Sequence, residues 1–152
     1  MAQFATDTDL LEYEPQIHDF GIQDFGNNPN LHEKTYDDII RLLNIKWFPT
    51  TQFGRYDITI SNNHLKLDEN KIVEAQFKRA AVYHVLGYYV YGRLSTFDPD
   101  GDSFKEKMMY YKNLFNEEFD LILQEGVQYD LDSDGNIDSS EETPYYHNRL
   151  QR

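Results

Sequence analysis

The chain has 152 residues and a formal charge of −13 at pH 7, because 27 acidic residues outnumber 14 lysines and arginines. This length suits one domain with a substantial core, and this charge argues against a protein that grips nucleic-acid backbones through clustered basic residues. The absence of cysteine excludes disulfides and thiolate chemistry, while the lack of a signal-like start or an apolar segment of transmembrane length leads us to expect a soluble protein.

The first two predicted elements are helices. The first is indicated by apolar residues at helical spacing near the start of the chain, namely Leu10, Leu11, Tyr13 and Ile17. The second is predicted over about residues 31–46, where Thr35 and Asp38 resemble a capping box. It ends before Pro49, because proline pushes the preceding residue out of helical geometry.

Residues 53–67 have a different pattern. Tyr56, Ile58 and Ile60 alternate with polar residues, and an Asn62-Asn63 turn then precedes two leucines, which predicts a β-hairpin. A lone hairpin is only marginally stable in water, so a long loop remains the alternative interpretation.

The third predicted helix has the strongest apolar pattern in the chain. It runs from Asp68 or Glu69 to about Arg93. Two mainly apolar lines follow it, one with Ile72, Ala75, Arg79, Tyr83, Leu86 and Val90, the other with Val73, Phe77, Ala81, Val85 and Tyr88. Two such lines predict burial on most sides of the helix.

The last predicted helix extends from Ser103 to about Gln124 and begins at a second capping box, formed by Ser103 and Glu106. The acidic segment before it, residues 97–102, is interpreted as a helix-start turn. It does not match a metal loop, because its glycine comes one place late and Met109 stands where a closing acid is needed. The predicted fold is mainly α, a small bundle of about four helices with the long loop or hairpin between helices 2 and 3.

The segment from Asp130 to Glu141 matches the twelve-residue calcium loop of an EF-hand. Gly135 stands at loop position 6, where the backbone is expected to turn sharply with φ > 0. The predicted ligands of a structural Ca²⁺ ion are Asp130, Asp132, Asp134, Asn136, Asp138 and Glu141. Asn136, at loop position 7, would bind through its backbone carbonyl. An ordinary acidic turn is the alternative.

The surroundings of this loop favour a local staple over a sensor. Only one loop fits, Gly126 separates it from the preceding helix, and Pro144 falls where an exit helix should run. We therefore predict one domain in which residues 1–126 form the bundle and residues 127–152 an acidic C-terminal tail.

The sequence offers no catalytic constellation. The five histidines are scattered, and His84, the one expected to be buried, is interpreted as a hydrogen-bonded core residue. Phosphate-binding glycine loops and nucleophile motifs are missing. The interpretation is a protein that is not an enzyme.

Tyrosines cluster in three places in the chain. Tyr88, Tyr89 and Tyr91 surround most of one helix, and two further pairs are Tyr110-Tyr111 and Tyr145-Tyr146. Tyrosine is favoured at interfaces, because its apolar ring carries a polar tip. The pattern predicts a contact surface, with partly exposed tyrosines around a small core as the alternative.

Several segments, taken in order, resemble a tailed-bacteriophage adaptor, the head-tail connector or neck protein that docks below the portal. The resemblance extends from about residue 9 to 142 and lies in the order of Tyr13-Glu14-Pro15-Gln16-Ile17, Asp19-Phe20-Gly21-Ile22, Ile45-Lys46-Trp47-Phe48-Pro49, Phe77-Lys78-Arg79-Ala80-Ala81-Val82-Tyr83-His84-Val85-Leu86, and Tyr110-Tyr111-Lys112 with Phe115.

This resemblance implies a helical subunit of a virion neck, assembled as a homo-oligomeric ring of about twelve copies. Such a ring extends the DNA channel from the portal protein to tail or nozzle proteins, and DNA passes through without specific binding. The segments at 53–67 and after Asp130 match the family's channel-facing loop and portal-directed tail. An acidic lining would lower friction with DNA, although the acidity also serves ordinary solubility.

Two other functions are alternatives to the adaptor interpretation. One is a freestanding calcium-binding module that exposes an aromatic surface when the ion binds. The other is an acidic inhibitor that mimics DNA, which the net charge of −13 suggests.

Overall fold

A computed structural model describes residues 3–20, 24–26, 30–48, 67–95, 99, 101–130, 132–138 and 141–143. The predicted insertion at 53–67 lies outside the described residues except for Leu67. So do half of the turn at 97–102 and the tail beyond Thr143, with Tyr145 and Tyr146.

Helices make up most of the described chain. They are α1 (Asp7–Tyr13), α2 (Leu31–Lys46), α3 (Lys78–His84), α4 (Tyr91–Leu94) and α5 (Ser103–Glu125). A π-helical segment, Val85–Val90, joins α3 and α4 into one continuous rod, and short 3₁₀ turns lie at Ile17–Phe20, Glu69–Lys71 and Glu74–Phe77. The predicted mainly α fold, a small helical bundle, is confirmed.

Two short strands follow α5 and form an antiparallel pair. They are β1 (Val127–Gln128) and β2 (Glu142–Thr143). Val127 lies opposite Thr143, and Gln128 lies opposite Glu142. The chain segment between the strands is the predicted calcium loop.

Both predicted capping boxes are wrong, although the helix bounds are close to those predicted. Asn30 caps α2, and its side chain accepts from the Glu33 amide at 3.1 Å. Asp102 caps α5, accepting from the Phe104 amide at 2.9 Å. Asn and Asp are among the best N-cap residues, and each stands immediately before its helix, so Thr35 lies inside α2.

The third helix begins later than predicted. Regular α geometry starts at Lys78, because the backbone of residues 72 and 73 pairs instead with the end of β1 and the residue that follows it. Ile72 forms an antiparallel bridge with Tyr129, and the Val73 amide donates to the Gln128 carbonyl at 3.4 Å. Long-range pairing has overridden local helix propensity here.

The rod of α3, the π-helical segment and α4 lies at the centre of the core. Its buried residues are Ala80, Ala81, Val82, Val85, Leu86, Val90 and Tyr91, which confirms the predicted burial on most sides. Gly87 lies against α5 so closely that a Cβ there would be 2.8 Å from the backbone nitrogen of Lys112. This contact sets how near the rod and α5 approach.

Among the described residues, none of the helices combines the length and the apolar character that crossing a membrane requires.

Candidate metal centre

The strand pair closes the base of the loop. The Tyr129 amide donates to the Glu141 carbonyl at 2.9 Å, extending the β1–β2 ladder by one bond. Gly126, with φ of 111°, turns the chain from α5 into β1. A Cβ at Gly126 would lie 2.9 Å from Cγ of Glu142, so only glycine lets β2 approach.

The first residues of the loop are tied to the body of the protein. The Asp130 amide donates to the Lys71 carbonyl at 2.8 Å, and the Tyr129 hydroxyl accepts from the Asp68 amide at 3.0 Å. The Tyr129 ring is buried and lies 5.7 Å, centroid to centroid, from that of Trp47. The entry to the loop is therefore held by packed and hydrogen-bonded groups.

Four carboxylates converge inside the loop. Asp130, Asp132, Asp134 and Glu141 each offer one oxygen, and these oxygens all lie within 4.8 Å of one another. Oxygens on opposite sides of a Ca²⁺ ion lie about 4.6–5.2 Å apart, given Ca–O distances of about 2.3–2.6 Å. Four carboxylate oxygens this close together could hold a metal ion, and oxygen is the ligand atom that hard cations such as Ca²⁺ prefer.

Backbone amides of the loop orient the first carboxylate. Asp130 accepts from the Asp134 amide at 3.1 Å and from the Gly135 amide at 3.0 Å. Gly135 has φ of 85°, as expected from the spacing, and this left-handed turn directs its amide inward. The same glycine therefore supplies both the turn and a hydrogen bond.

Glu141 closes the loop from its buried end. Among the described residues it is the only carboxylate that is almost completely buried, with 3% of its surface exposed. Its two oxygens accept from the Asp132 amide at 3.3 Å and the Asp138 amide at 2.9 Å. Both oxygens are thus held in place facing the loop interior.

The other two predicted ligands occupy different positions. The Asn136 amide donates to Asp134 at 2.7 Å, and the predicted ligand at this residue is its carbonyl. Asp138 is exposed, and its carboxylate is not one of the four that converge. Position 9 of such loops often reaches the ion through a water molecule.

The converging carboxylates repel one another. A hydrogen bond from the Asp134 amide by itself lowers the pKa of Asp132, but desolvation and the like charges of Asp134 and Glu141 outweigh it and raise that pKa. None of the ion pairs among the described residues involves a loop carboxylate. A bound cation would relieve this repulsion.

A second feature is a cleft of about 530 Å³ between α2, the rod and α5. His84 lies at its inner wall, with Nδ1 3.1 Å from the Thr35 hydroxyl and Nε2 3.7 Å from Asp38. Burial lowers the pKa of His84 to about 4, against the opposing effect of Asp38. The predicted buried, hydrogen-bonded His84 is confirmed.

A second histidine, which the sequence pattern does not single out, is also buried among the described residues. His32 is 3% exposed, and its Nε2 lies 2.6 Å from Asp7. Asp7 also accepts from the Phe25 amide at 3.3 Å, so it joins α1, α2 and the segment between them. No local pattern signals this pair, because its members are 25 positions apart.

The clustered tyrosines divide into buried and exposed groups. Tyr91 and Tyr111 are buried, with rings stacked at 5.8 Å between centroids. Tyr88 and Tyr110 are 42% and 58% exposed. Tyr89 is half-buried, and its hydroxyl donates to Asp38.

Glu14 joins α1 to α5. It accepts from the Tyr111 hydroxyl at 2.6 Å and from Nζ of Lys107 at 2.9 Å. Burial by itself raises the pKa of Glu14, but the hydrogen bonds from Tyr111 and Lys107 outweigh it and hold the pKa below its ordinary value. The carboxylate is therefore stabilised in its charged form.

No protein-family model, curated protein or solved structure matches this chain.

Proposed function

We propose that this chain is a non-enzymatic subunit of a bacteriophage neck, a head-tail adaptor whose copies form a ring below the portal. The ring extends the DNA channel from the portal protein to the tail or nozzle proteins. The observation that carries the proposal is that described residues of four segments resembling this family, far apart in sequence, belong to one hydrophobic core: Ile17, Trp47, Phe77 and Tyr111.

The contacts around α1 illustrate this convergence. Glu14 of the first segment is hydrogen-bonded to Tyr111 of the last. Tyr13, beside it, makes an edge-to-face contact with Tyr83 of the long central segment, at 5.5 Å between centroids. A resemblance carried by residues that form a common core is better support than one carried by scattered surface residues.

Charge supports the channel role. With a net charge of −13, the surface does not favour tight binding of phosphates. A ring through which DNA slides requires this property.

The calcium loop acts as a staple within this proposal. Ca²⁺ held by Asp130, Asp132, Asp134 and Glu141 fixes the chain between β1 and β2, with Asn136 and Asp138 completing the shell. The position of Thr143, the last described residue before the tail, is then fixed. This tail is the segment that the resemblance assigns to the portal side.

Cryo-EM of the particle whose genome encodes this chain tests the adaptor role. The expected result is a closed ring of this chain, coaxial with the portal and lying between capsid and tail. A neck map in which every ring is built from other chains would end the proposal.

The acid cluster also favours a second candidate function, a calcium-responsive module that exposes an aromatic surface to a partner. Titration with an environment-sensitive apolar dye separates the two. A large rise in dye fluorescence on adding calcium favours the module. Calcium binding without such a rise favours the staple, because the ion then orders the loop without opening the core.

A further inference from the structure

We infer that α5 carries both halves of a head-to-tail interface between copies of this chain. One half is the groove, the cleft walled by Leu42 and Ile45 of α2, Tyr88 of the rod, and Phe115 and Phe119 of α5. The other is the stripe, formed by Tyr110, Leu114 and Leu121 of α5. The groove of one copy receives the stripe of the next.

The groove exposes apolar surface that nothing described in the chain covers. Ile45 is 62% exposed at its rim. Tyr88, 42% exposed, stacks on His84 at 4.4 Å between ring centroids, which holds its ring against the wall. An open volume of about 530 Å³ is large enough to admit several side chains.

The stripe is a second exposed apolar surface. Tyr110 and Leu121 are 58% and 50% exposed, and Leu114 between them is half-buried. The three residues are separated by four and seven positions, so they share one face of the helix. Together they give one face of α5 an apolar row onto which a partner can dock.

The groove and the stripe lie on nearly opposite sides of α5. Each residue of an α-helix turns about 100° from the one before. Leu121 follows Phe119 by two positions, about 200° around the axis, and Leu114 precedes Asn116 of the groove wall by the same step. A two-fold symmetric dimer, which has one interface, therefore cannot bury both the groove and the stripe.

Charge favours another copy of this chain as the occupant. Basic residues surround the groove: Arg41 and Lys46 line it, and Lys112 lies over the Tyr88 ring at 5.0 Å. Two acids, Asp38 and Asp120, also line it. Three basic residues against two acids give this surface a small net positive charge, in a chain whose net charge is −13.

The stripe carries the opposite charge. Glu117 lies within it, between Leu114 and Leu121, and takes part in none of the ion pairs among the described residues. Docking the stripe into the groove brings Glu117 toward Arg41 and Lys46. Such complementarity fixes register and direction at an interface.

A contact between two different patches is heterologous, and repeated heterologous contacts generate a ring when the rotation closes. The inference thus deepens the proposed function, since it names the surfaces through which adaptor copies meet. The contact itself needs no phage component and can be tested with the isolated chain.

The test uses two variants that each block one surface. Ile45→Glu places a negative charge in the groove opposite Glu117, and Leu121→Arg places a positive charge in the stripe opposite Arg41 and Lys46. Both sites are exposed, so both variants should fold, which circular dichroism verifies. Asn70→Glu is the matched control for Ile45→Glu, because it adds the same negative charge at an exposed position outside both surfaces.

Sedimentation over a range of concentrations measures association. The unmodified chain and Asn70→Glu should associate alike, and each blocking variant should associate about tenfold or more weakly. An equimolar mixture of the two blocking variants should form a one-to-one dimer that grows no further, because each keeps one intact surface. Unchanged association of the blocking variants would overturn the interface.

Cross-linking gives a second readout that also detects weak association. The chain has no cysteine, so Ile45→Cys and Leu121→Cys each introduce one thiol. A short bismaleimide should join the mixed pair about tenfold more than either variant with itself. Ile45→Cys mixed with Asn70→Cys is the control pair. The interface would be overturned if the Ile45→Cys and Leu121→Cys mixture cross-linked no more than this control, or no more than either variant with itself.

These outcomes separate the interface from the adaptor role. A particle map lacking the ring ends the adaptor role but leaves a positive mixing result standing. Unaffected association of the blocking variants ends the interface and not the adaptor role. If the groove instead binds the chain's own tail, the blocking variants leave association unchanged, which counts against the inference.

Discussion

At the scale of single residues, Glu14 shows how one carboxylate can link distant elements. It lies 97 positions before Tyr111 and 93 before Lys107, and it accepts hydrogen bonds from both. Hydrogen bonds to a charged group contribute more than those between neutral groups. We expect Glu14 to be one of the polar residues on which stability depends most.

Replacing Glu14 by Gln should destabilise the fold by about 1–2 kcal/mol at neutral pH. Because the folded protein holds the pKa of Glu14 below its ordinary value of 4.5, this stabilisation is present above pH 4.5 and is lost as pH falls toward the folded pKa. Urea unfolding of both proteins across this range measures the difference. A difference that stays constant with pH would show that the charge of Glu14 contributes nothing.

The acid cluster yields a second prediction at this scale. Asp130→Ala together with Glu141→Ala should abolish calcium binding, because the first and last ligands of the loop are lost. The matched control is Glu125→Ala with Glu142→Ala, which removes two exposed acids outside the cluster. Calorimetry should show unchanged binding for the control. A chain that takes up no calcium even without substitution would remove the site.

At the scale of elements, the central rod depends on a glycine that lies in its π-helical segment. Gly87 is buried against α5, and a Cβ there would lie 2.8 Å from backbone of α5. Backbone atoms cannot rotate away as a side chain can. The two helical elements would have to separate to admit even a methyl group.

Gly87→Ala should therefore destabilise the protein by about 1–3 kcal/mol, the usual effect of overpacking a core. Gly92→Ala is the matched control on the same rod, because its Cβ would meet only the Met108 sulfur at an ordinary 3.7 Å. The control should be neutral or more stable by up to about 1 kcal/mol, since alanine favours helix. Thermal unfolding measures the stability of both variants. Equal changes in stability would contradict the close approach of Gly87 to the backbone of α5.

At the scale of the whole molecule, calcium should stabilise folding through mass action. Only the folded chain brings the four carboxylates together, so calcium at one hundred times its dissociation constant should raise the free energy of unfolding by about 2.7 kcal/mol. Urea unfolding with calcium and with a chelator measures this. The Asp130→Ala, Glu141→Ala double variant should show no response, and an equal response there would mean that calcium acts elsewhere.

Much of the helical architecture is predictable from local pattern. The bounds of α2 match the predicted 31–46, and α5 ends one residue beyond Gln124. Apolar spacing records which face each helix buries, and that information lies within a few turns of chain. The start of the rod was misplaced because Ile72 pairs with Tyr129, and no local pattern contains that partner.

By itself, the sequence determined the mainly helical fold, the spacing of the loop acids and the left-handed turn at Gly135, since each depends on residues close together in the chain. Only the tertiary structure decided which tyrosines are buried, that Asp7 meets His32, and that Glu14 meets Tyr111. These pairs form because burial brings distant groups together, and the free energy of burial depends on the whole core rather than on any short segment.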